Sequence, residues 1–424
     1  MKKIVLGHVI AVLASLGVGL GMNTSGQAQP LPRAAPESVG ISSDRLERIG
    51  VAMESLVDEG KMPGGVLAIA RYGKLVYYEA FGYLDKEAGI PMPRDAIFSI
   101  ASLTKPIVAV AALTLFERGQ LLLDEPVGVY LPELRDMKVA VNYDPTDLVP
   151  AKRQPTVEDL FRHTSGFTNA NQGTTALHQL YPGGDWLERL TGDDLIAELS
   201  KLPLHHQPGT AWDYSFGFDI LGVMIERISG KSHGEFLRET IFEPLGMSDT
   251  SFRLSAEKRA RHVRPLAADP VTGAPQQQRN HNGFKIECGG GCLTSTVLDY
   301  LAFAQMLAND GELNGKRILG PKTVEYMTAD HADSEVDMSR LHYYPSLADD
   351  GYGFGLGVSV RRGAGLGGTI AAPGEFHWYG ASGTLFRVDP EEGLVIVFMA
   401  HTPGEIRRVN RQLVPTLVYQ ALMN

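Results

Sequence analysis

Two β-hairpin patterns stand at opposite ends of the chain, and they constrain its fold more than any other feature. Residues 66–71 and 74–78 are rich in β-forming side chains and flank a Tyr72-Gly73 turn, while residues 385–390 and 394–399 flank a turn at 391–393. Helical spacing characterises the middle of the chain, at residues 107–118, 194–201, 218–229, 234–242 and 296–308. This order predicts an α/β (α+β) fold, in which one mixed sheet is built from both chain ends and interrupted by a helical insertion. The connections at residues 142–155 and 362–373 carry Pro or Gly and are expected to be surface loops.

The N-terminus has the pattern of a secretory signal peptide. Lys2 and Lys3 precede a mostly apolar stretch at residues 4–22, and small residues end the polar run at residues 26–28. Residues 1–28 are therefore expected to be removed during export, which would leave the mature chain periplasmic or secreted. An uncleaved N-terminal anchor is the alternative, because the apolar stretch could just cross a bilayer. No later segment is apolar for long enough, so no stable membrane span is expected after cleavage.

Composition narrows the class of partner. The net charge of −10 argues against a nucleic-acid partner, and an apolar fraction of 44% is ample for a core. The chain beyond the signal peptide exceeds one typical domain, which predicts two lobes or one large unit with an insertion. The twelve histidines show no metal-binding spacing such as His-Glu-x-x-His. We therefore expect no metal or other cofactor, and nothing in the sequence indicates a protein partner.

The two cysteines, Cys288 and Cys292, stand in the segment Cys-Gly-Gly-Gly-Cys. In an oxidising compartment so close a pair can form a disulfide, and the glycines make the tight ring conformationally accessible. Two cysteines alone do not make a zinc site. A disulfide and a pair of buried thiols are both compatible with the sequence.

Ser102 and Lys105 stand at the start of a strongly apolar helical pattern. The residues after Lys105 are nearly all apolar, so the predicted helix is buried, and a lysine at its head is costly unless its charge is paired or used. Residues three apart share a helix face. A lysine at low dielectric can lose its proton and accept the serine proton, and the positive end of the helix favours developing negative charge. Taken alone, Ser-x-x-Lys is also compatible with a capping serine and a surface lysine.

The chain resembles a group of serine hydrolases along most of its length. Residues 98–107 are similar to the start of the active-site helix in class C β-lactamases, penicillin-binding DD-peptidases and family VIII carboxylesterases. Further segments resemble the other marks of these families in the same order: residues 122–132, 160–166, 208–215, 242–250, 290–296 and 378–380. The resemblance covers residues 38–420 and implies a β-lactamase/DD-peptidase-like fold, a mixed antiparallel sheet flanked by helices. It implies an α/β lobe from about residues 38–100 and 290–420, and a helical lobe from about residues 101–289.

The resemblance also implies catalytic roles by matched position. Ser102 would be the nucleophile and Lys105 its activator. Tyr214, which lies in the Pro-Gly block at residues 208–215, would carry a proton to the leaving group, with its phenol tuned by Lys105.

The third motif of these families corresponds to Trp378-Tyr379-Gly380. This segment would line the cleft. The backbone N–H groups of Ser102 and Ala381 would form the oxyanion hole.

Two departures from the lactamase pattern bear on the substrate. Phe216 stands where the lactamases have Asn, and Trp378 stands where their third motif begins with Lys. Losing an amide and a cation while gaining two aromatic rings predicts a more apolar pocket, and family VIII esterases show similar features. The sequence therefore favours a serine hydrolase that cleaves small-molecule carboxylic esters through an acyl-Ser102 intermediate. The alternatives are a β-lactamase or D-alanyl-D-alanine carboxypeptidase and, in another class, a non-catalytic penicillin-recognising binding or sensor protein.

Other motifs are expected to be structural. Residues 230–234 match Gly-x-Ser-x-Gly, but a helical run precedes them, so Gly230 is expected to end one helix and Ser232 to cap the next. Residues 363–368 match the dinucleotide-binding pattern, but no helical pattern follows. We expect His163 to hold structure and the His205-His206 pair to belong to a loop.

Overall fold

The computed structural model of the protein describes residues 31–332, 335–339 and 351–423. The predicted signal peptide at residues 1–28 lies outside this described part of the chain. Within it, none of the helices has the length and apolar character that crossing a bilayer requires.

Helices make up most of the middle of the chain, and strands cluster at its two ends. The helices are α1 (Ser43–Asp58), α2 (Thr104–Glu117), α3 (Val157–Phe161), α4 (Ala176–Leu180), α5 (Trp186–Arg189), α6 (Gly192–Leu199), α7 (Gly217–Ser229), α8 (His233–Leu237), α9 (Glu243–Leu245), α10 (Ala256–Ala260), α11 (Val297–Ala308), α12 (Pro321–Met327) and α13 (Ile406–Tyr419). The strands are β1 (Gly64–Arg71), β2 (Lys74–Asp85), β3 (Ile90–Pro91), β4 (Phe98–Ser99), β5 (Lys138–Val141), β6 (Asp144–Pro150), β7 (Thr294–Ser295), β8 (Glu312–Leu313), β9 (Lys316–Arg317), β10 (Tyr352–Phe354), β11 (Ser359–Arg361), β12 (Phe376–Tyr379), β13 (Leu385–Asp389) and β14 (Leu394–Ala400).

One large sheet joins the two ends of the chain. Among the described residues, eight strands pair in the order β10-β11-β12-β13-β14-β1-β2-β3, and each pairing is antiparallel. The two predicted hairpins are confirmed as β1–β2 and β13–β14, and they meet where Val66 of β1 lies opposite Met399 of β14. The predicted fold class is therefore confirmed.

Helices cover the sheet and form a separate packed region beside it. Strands β1 and β14 are buried along their whole length, which requires cover on both faces. Helix α11 packs against β1, β13 and β14, while α1 packs against β2 and α13. Helix α2, buried from Thr104 to Leu115, packs against α7, which in turn packs against α3. This buried helix carries the predicted nucleophile segment at its start.

The prediction of a surface loop at residues 142–155 was partly wrong. Strands β5 and β6 form a hairpin across Asn142 and Tyr143, whose φ angles of 50° and 63° are those of a type I′ turn. The hairpin could not be predicted from the sequence, because β6 is mostly exposed and contains two prolines. It therefore lacks the alternation of apolar and polar residues that marks a half-buried strand. The predicted loop at residues 362–373 contains no helix or strand, as expected.

Candidate active site

Ser102 lies in a 3-10 turn, Ala101–Leu103, that leads directly into α2. Ala101 has a φ of 46°, a left-handed conformation that costs energy outside glycine and persists only where the surroundings enforce it. The preceding residue supplies this anchoring: the Ile100 N–H donates to the Leu293 carbonyl at 3.0 Å, and its carbonyl accepts from Thr384 Oγ1 at 3.0 Å. The backbone just before Ser102 is therefore held by hydrogen bonds to two separate segments of the chain.

The Lys105 side chain is buried at the head of α2, with 3% of its surface exposed. Its Nζ donates to the Gly290 carbonyl at 2.5 Å and lies 4.4 Å from the centroid of the Tyr214 ring. Burial lowers the pKa of Lys105 to about 7, against the opposing pull of Asp219. An amine with a pKa near neutrality can both accept and return a proton at working pH.

The Tyr214 hydroxyl donates to Ser102 Oγ at 2.6 Å. Tyr214 lies just before α7, and its backbone carbonyl accepts from Asn169 Nδ2 at 3.1 Å. Burial raises the pKa of Tyr214 above its usual range, although hydrogen bonds to Ser102 and Trp378 oppose the rise. The phenol is therefore protonated at neutral pH and can serve as a proton donor.

The third-motif segment closes the other side of Ser102. Trp378, 2% exposed on β12, stacks on Tyr214 with ring centroids 6.1 Å apart. Gly380 follows the strand, and a Cβ there would lie 2.4 Å from the Ile100 carbonyl oxygen, so only glycine allows this approach. The exposed Ala381 and Ser102 both line one cavity of about 440 Å³.

All of the predicted site residues line this cavity except Gly380 and Cys292. Phe216 is buried, lines the cavity and meets Trp186 edge to face at 5.1 Å. Tyr379 also lines it, and its hydroxyl accepts from Arg387 at 2.5 Å. Gly380 holds the turn against Ile100. Cys288 lines the cavity as well, and the structure has it bonded to Cys292.

Four arginines that sequence analysis did not single out also line the cavity: Arg279, Arg407, Arg408 and Arg411. Arg407 donates to the Ala381 carbonyl at 2.8 Å, and Arg411 lies 4.6 Å from the centroid of the Tyr379 ring. The cavity is thus a mixture of aromatic and cationic groups, whereas the sequence predicted a more apolar one. The one available signal was the spacing of Arg407 and Arg411, which puts them on one face of α13.

Asp219 is another cavity residue that the sequence analysis missed. It lies on α7 with 6% of its surface exposed, and its Oδ1 accepts from the Gly290 N–H at 2.8 Å. Burial raises its pKa to about 6, against the pull of Lys105. The sequence did contain a signal for Asp219, because it is a lone carboxylate between apolar residues of a predicted helix.

These features agree with what comparison with known proteins shows. A family model described as Beta-lactamase matches residues 51–416. The chain belongs to the beta-lactamase family. Among its relatives, lovastatin esterase from Penicillium rubens is 31% identical over 351 residues, covering 77% of this chain and 84% of that protein. Esterase EstB from Burkholderia gladioli is 29% identical over 385 residues, covering 84% of this chain and 91% of that protein.

Solved structures show the fold of this beta-lactamase family member. Simvastatin synthase (LovD) from Aspergillus terreus superposes with a TM-score of 0.76 at 22% identity, covering 89% of this chain and 98% of that one. EstCE1, described as a hydrolase with promiscuous acyltransferase activity, superposes with a TM-score of 0.71 at 24% identity, covering 92% and 99%. The predicted β-lactamase/DD-peptidase-like fold is confirmed.

The motifs expected to be structural lie outside the cavity. Gly230 ends α7 in a left-handed conformation, and Ser232 caps α8 by accepting from the Glu235 N–H at 3.2 Å. Residues 363–368 form a loop. His163 is fully buried, accepts from the Ser215 N–H at 3.3 Å and packs against the Tyr214 ring.

His178, His205 and Asp213 are the one group in the described part of the chain whose ligand atoms lie close enough for a metal ion. All three are buried, and His205 Nδ1 lies 2.7 Å from Asp213 Oδ2, which is a hydrogen-bond distance. The three ligand atoms that the group offers are one fewer than a closed structural zinc site requires. The group fits a hydrogen-bonded pair packed against a second imidazole better than a metal site.

A cavity larger than the Ser102 cavity lies elsewhere in the described part of the chain. It has a volume of about 960 Å³ and includes the apolar residues Phe242, Met247 and Phe252 in its wall. None of the residues that line it lines the Ser102 cavity. The contact between Ser102 and Tyr214, and not cavity size, therefore marks the candidate active site.

Proposed function

We propose that this protein is an exported serine hydrolase that cleaves carboxylic esters of small molecules through an acyl-Ser102 intermediate. The observation that carries the proposal is the 2.6 Å contact from the Tyr214 hydroxyl to Ser102 Oγ, beside the buried Lys105 amine. A nucleophile in contact with a proton donor whose ring lies beside a near-neutral amine has the parts that acyl transfer needs. The esterase names of two relatives in the same family support the choice of substrate class.

Acylation begins with attack of Ser102 Oγ on the ester carbonyl carbon. Neutral Lys105 accepts the hydroxyl proton, and the backbone N–H groups of Ser102 and Ala381 stabilise the oxyanion of the tetrahedral intermediate. Tyr214 then donates its proton to the departing alkoxide and recovers a proton from the Lys105 ammonium. The alcohol leaves, and the acyl group stays on Ser102.

Deacylation uses the same groups in the opposite direction. A water molecule attacks the acyl carbonyl carbon while the Tyr214–Lys105 pair accepts its proton, and Ser102 Oγ is protonated as the acid leaves. The Trp378 ring, stacked on Tyr214, helps to keep the phenol in place through both half-reactions.

Export is the second part of the proposal. The N-terminal pattern at residues 1–28 and the Cys288–Cys292 disulfide both favour the periplasm or the medium, because disulfides persist in oxidising compartments. We assign the α/β lobe to residues 38–100 and 290–420 and the helical lobe to residues 101–289, with the Ser102 cavity between them.

A second candidate function is hydrolysis of β-lactams or D-alanyl-D-alanine peptides. The arginines around the cavity favour it, because these substrates carry a carboxylate. Phe216 and Trp378 weigh against it, since they stand in place of the amide and the cation that the lactamase pattern has there. The ester reaction remains the better supported of the two.

The test compares purified mature protein with its Ser102→Ala variant on p-nitrophenyl butyrate and on nitrocefin. Ser232→Ala is the matched control, because Ser232 also sits in a serine motif but caps α8. We expect ester turnover that is lost in Ser102→Ala and kept in Ser232→Ala, with little nitrocefin cleavage. Dominant nitrocefin cleavage would establish the second candidate instead. Failure of a fluorophosphonate probe to label Ser102 would favour a non-catalytic binding protein.

A further inference from the structure

The disulfide closes a small ring at the wall of the active-site cavity. Cys288 and Cys292 are 3% and 1% exposed, with Cα atoms 5.3 Å apart, and the ring encloses Gly289, Gly290 and Gly291. Closing so short a loop restricts the unfolded chain far less than closing a long one. Stability alone is therefore a weak reason for a disulfide at this place.

Gly290 connects two charged groups of the cavity through its own backbone. Its carbonyl accepts from Lys105 Nζ at 2.5 Å, and its N–H donates to Asp219 Oδ1 at 2.8 Å. The position of the Lys105 amine thus depends on the conformation of one glycine, and that glycine is held in turn by Asp219.

Two of the three glycines in this ring have no room for a side chain, and glycine is conformationally free. A Cβ at Gly290 would lie 2.5 Å from Asp219 Oδ2, and one at Gly289 would lie 2.0 Å from the Phe218 carbonyl oxygen. Glycine has the most backbone freedom of any residue, so a run of three glycines would sample many conformations without a further constraint. The disulfide supplies that constraint at both ends of the run.

The chain beyond the ring is tied to the segment that carries the nucleophile. The Leu293 N–H donates to Thr104 Oγ1 at 3.2 Å, and the Leu293 carbonyl accepts from the Ile100 N–H. The ring therefore bridges α7, through Asp219, to the start of α2. A change in the conformation of the ring would therefore move the carbonyl that accepts from Lys105 Nζ.

We propose that the Cys288–Cys292 disulfide and Asp219 act together as positioning elements of the catalytic site, fixing the Gly290 carbonyl that orients the Lys105 amine. The inference rests on the proposed role of Lys105 and adds that full activity requires the oxidised chain. Disulfide formation removes two protons and two electrons from the cysteine thiols, which a protein disulfide of the exported compartment accepts by thiol–disulfide exchange. The hydrolase would accordingly be weakly active before export and fully active after it.

The first test compares the oxidised protein with the Cys288→Ser/Cys292→Ser variant and with wild type reduced by a phosphine, the loss of the disulfide being checked by intact mass. We expect kcat for p-nitrophenyl butyrate to fall about 10-fold to 100-fold, as expected for a misplaced catalytic group, while KM changes less than about twofold. The same phosphine added to the variant is the control and should change nothing. Circular dichroism of both forms verifies that the fold is kept, and the reduced wild type serves if the variant does not fold.

The second test separates the hydrogen bond of Asp219 from its charge. Asp219→Asn keeps an oxygen that can accept from Gly290, so its kcat at high pH should stay near the wild-type value, while the acid limb of kcat/KM moves to lower pH because a negative charge near Lys105 is lost. Asp219→Ala removes the acceptor and should lower kcat as the disulfide variant does. Combining the two changes should cost less than the sum of their separate effects, because both act on Gly290.

Different results would overturn the two proposals. A disulfide-free, folded protein that keeps kcat within about twofold of the oxidised enzyme, with an unchanged pH profile, would overturn the positioning role and leave the esterase intact. Full activity of Ser102→Ala would overturn the proposed function itself. The two failures are therefore distinguishable.

Discussion

The pH dependence of kcat/KM tests the proposed role of Lys105 most directly. Burial lowers the Lys105 pKa to about 7. With that pKa, about a tenth of the amine is neutral at pH 6 and about nine-tenths at pH 8. Since the proposed reaction needs the neutral amine, kcat/KM should rise about tenfold between these pH values and level off above them.

The assay follows p-nitrophenyl butyrate hydrolysis from pH 5 to pH 9, corrected for spontaneous hydrolysis, together with the rate of fluorophosphonate labelling of Ser102. The labelling rate reports nucleophile activation without a leaving group whose own ionisation changes the signal. Lys105→Arg is the matched variant, because a guanidinium keeps the positive charge but does not lose its proton, and it should be inactive across the range.

Two results would refute this reasoning. A rate that keeps rising about tenfold per pH unit from pH 7 to pH 9 would mean that the Lys105 amine has an ordinary lysine pKa despite its burial. A flat profile would mean that no group of the site titrates in the reaction. Because the buried Lys105 and Asp219 interact, both groups affect the acid limb of the kcat/KM profile. Comparison with Asp219→Asn separates the contribution of Lys105 from that of Asp219.

Three further predictions follow from named contacts. Tyr214→Phe removes the hydroxyl next to Ser102 Oγ while keeping the ring, and should lower kcat about 10²-fold to 10⁴-fold with little change in thermal stability. Glu375→Gln removes the carboxylate that pairs with buried Arg387 at 3.0 Å, and should lower the free energy of unfolding by about 3–5 kcal/mol in urea titrations. Arg411→Gln should lower the kcat/KM ratio of mono-p-nitrophenyl glutarate to p-nitrophenyl valerate about threefold to tenfold, because one substrate carries a carboxylate and the other a methyl group.

Each of these predictions has a matched control. Tyr77→Phe, on strand β2 and outside the lining of the Ser102 cavity, should leave kcat unchanged, and equal losses in both Tyr variants would remove Tyr214 from the mechanism. Glu325→Gln breaks an exposed ion pair with Lys322 and should leave the urea midpoint of unfolding unchanged. The ratio of two substrates cancels any general damage to the site, so an unchanged ratio in Arg411→Gln would mean that this arginine does not sense substrate charge.

The parts of the site that the sequence predicted are those that local patterns encode. Ser102 and Lys105 are neighbours on one helical turn, and Tyr214 stands in a short block that resembles the same families. The two hairpins could be predicted because strand propensity and turn chemistry are local too. The hairpin β5–β6 could not be predicted, because β6 lacks the alternating pattern of a strand. Its pairing with β5 becomes visible only in the folded chain.

The arginines show why the character of the cavity could not be predicted in the same way. The expectation of a more apolar pocket came from two positions, Phe216 and Trp378, and both side chains do lie in the cavity wall. The electrostatic potential of a cavity, however, is the sum over every group that faces it. Here Arg279 comes from a long connection and Arg407 from the last helix, so distant parts of the chain bring positive charge to the cavity. A difference from the family pattern at one position therefore does not predict the substrate by itself. The fold must first show which other charged groups line the cavity.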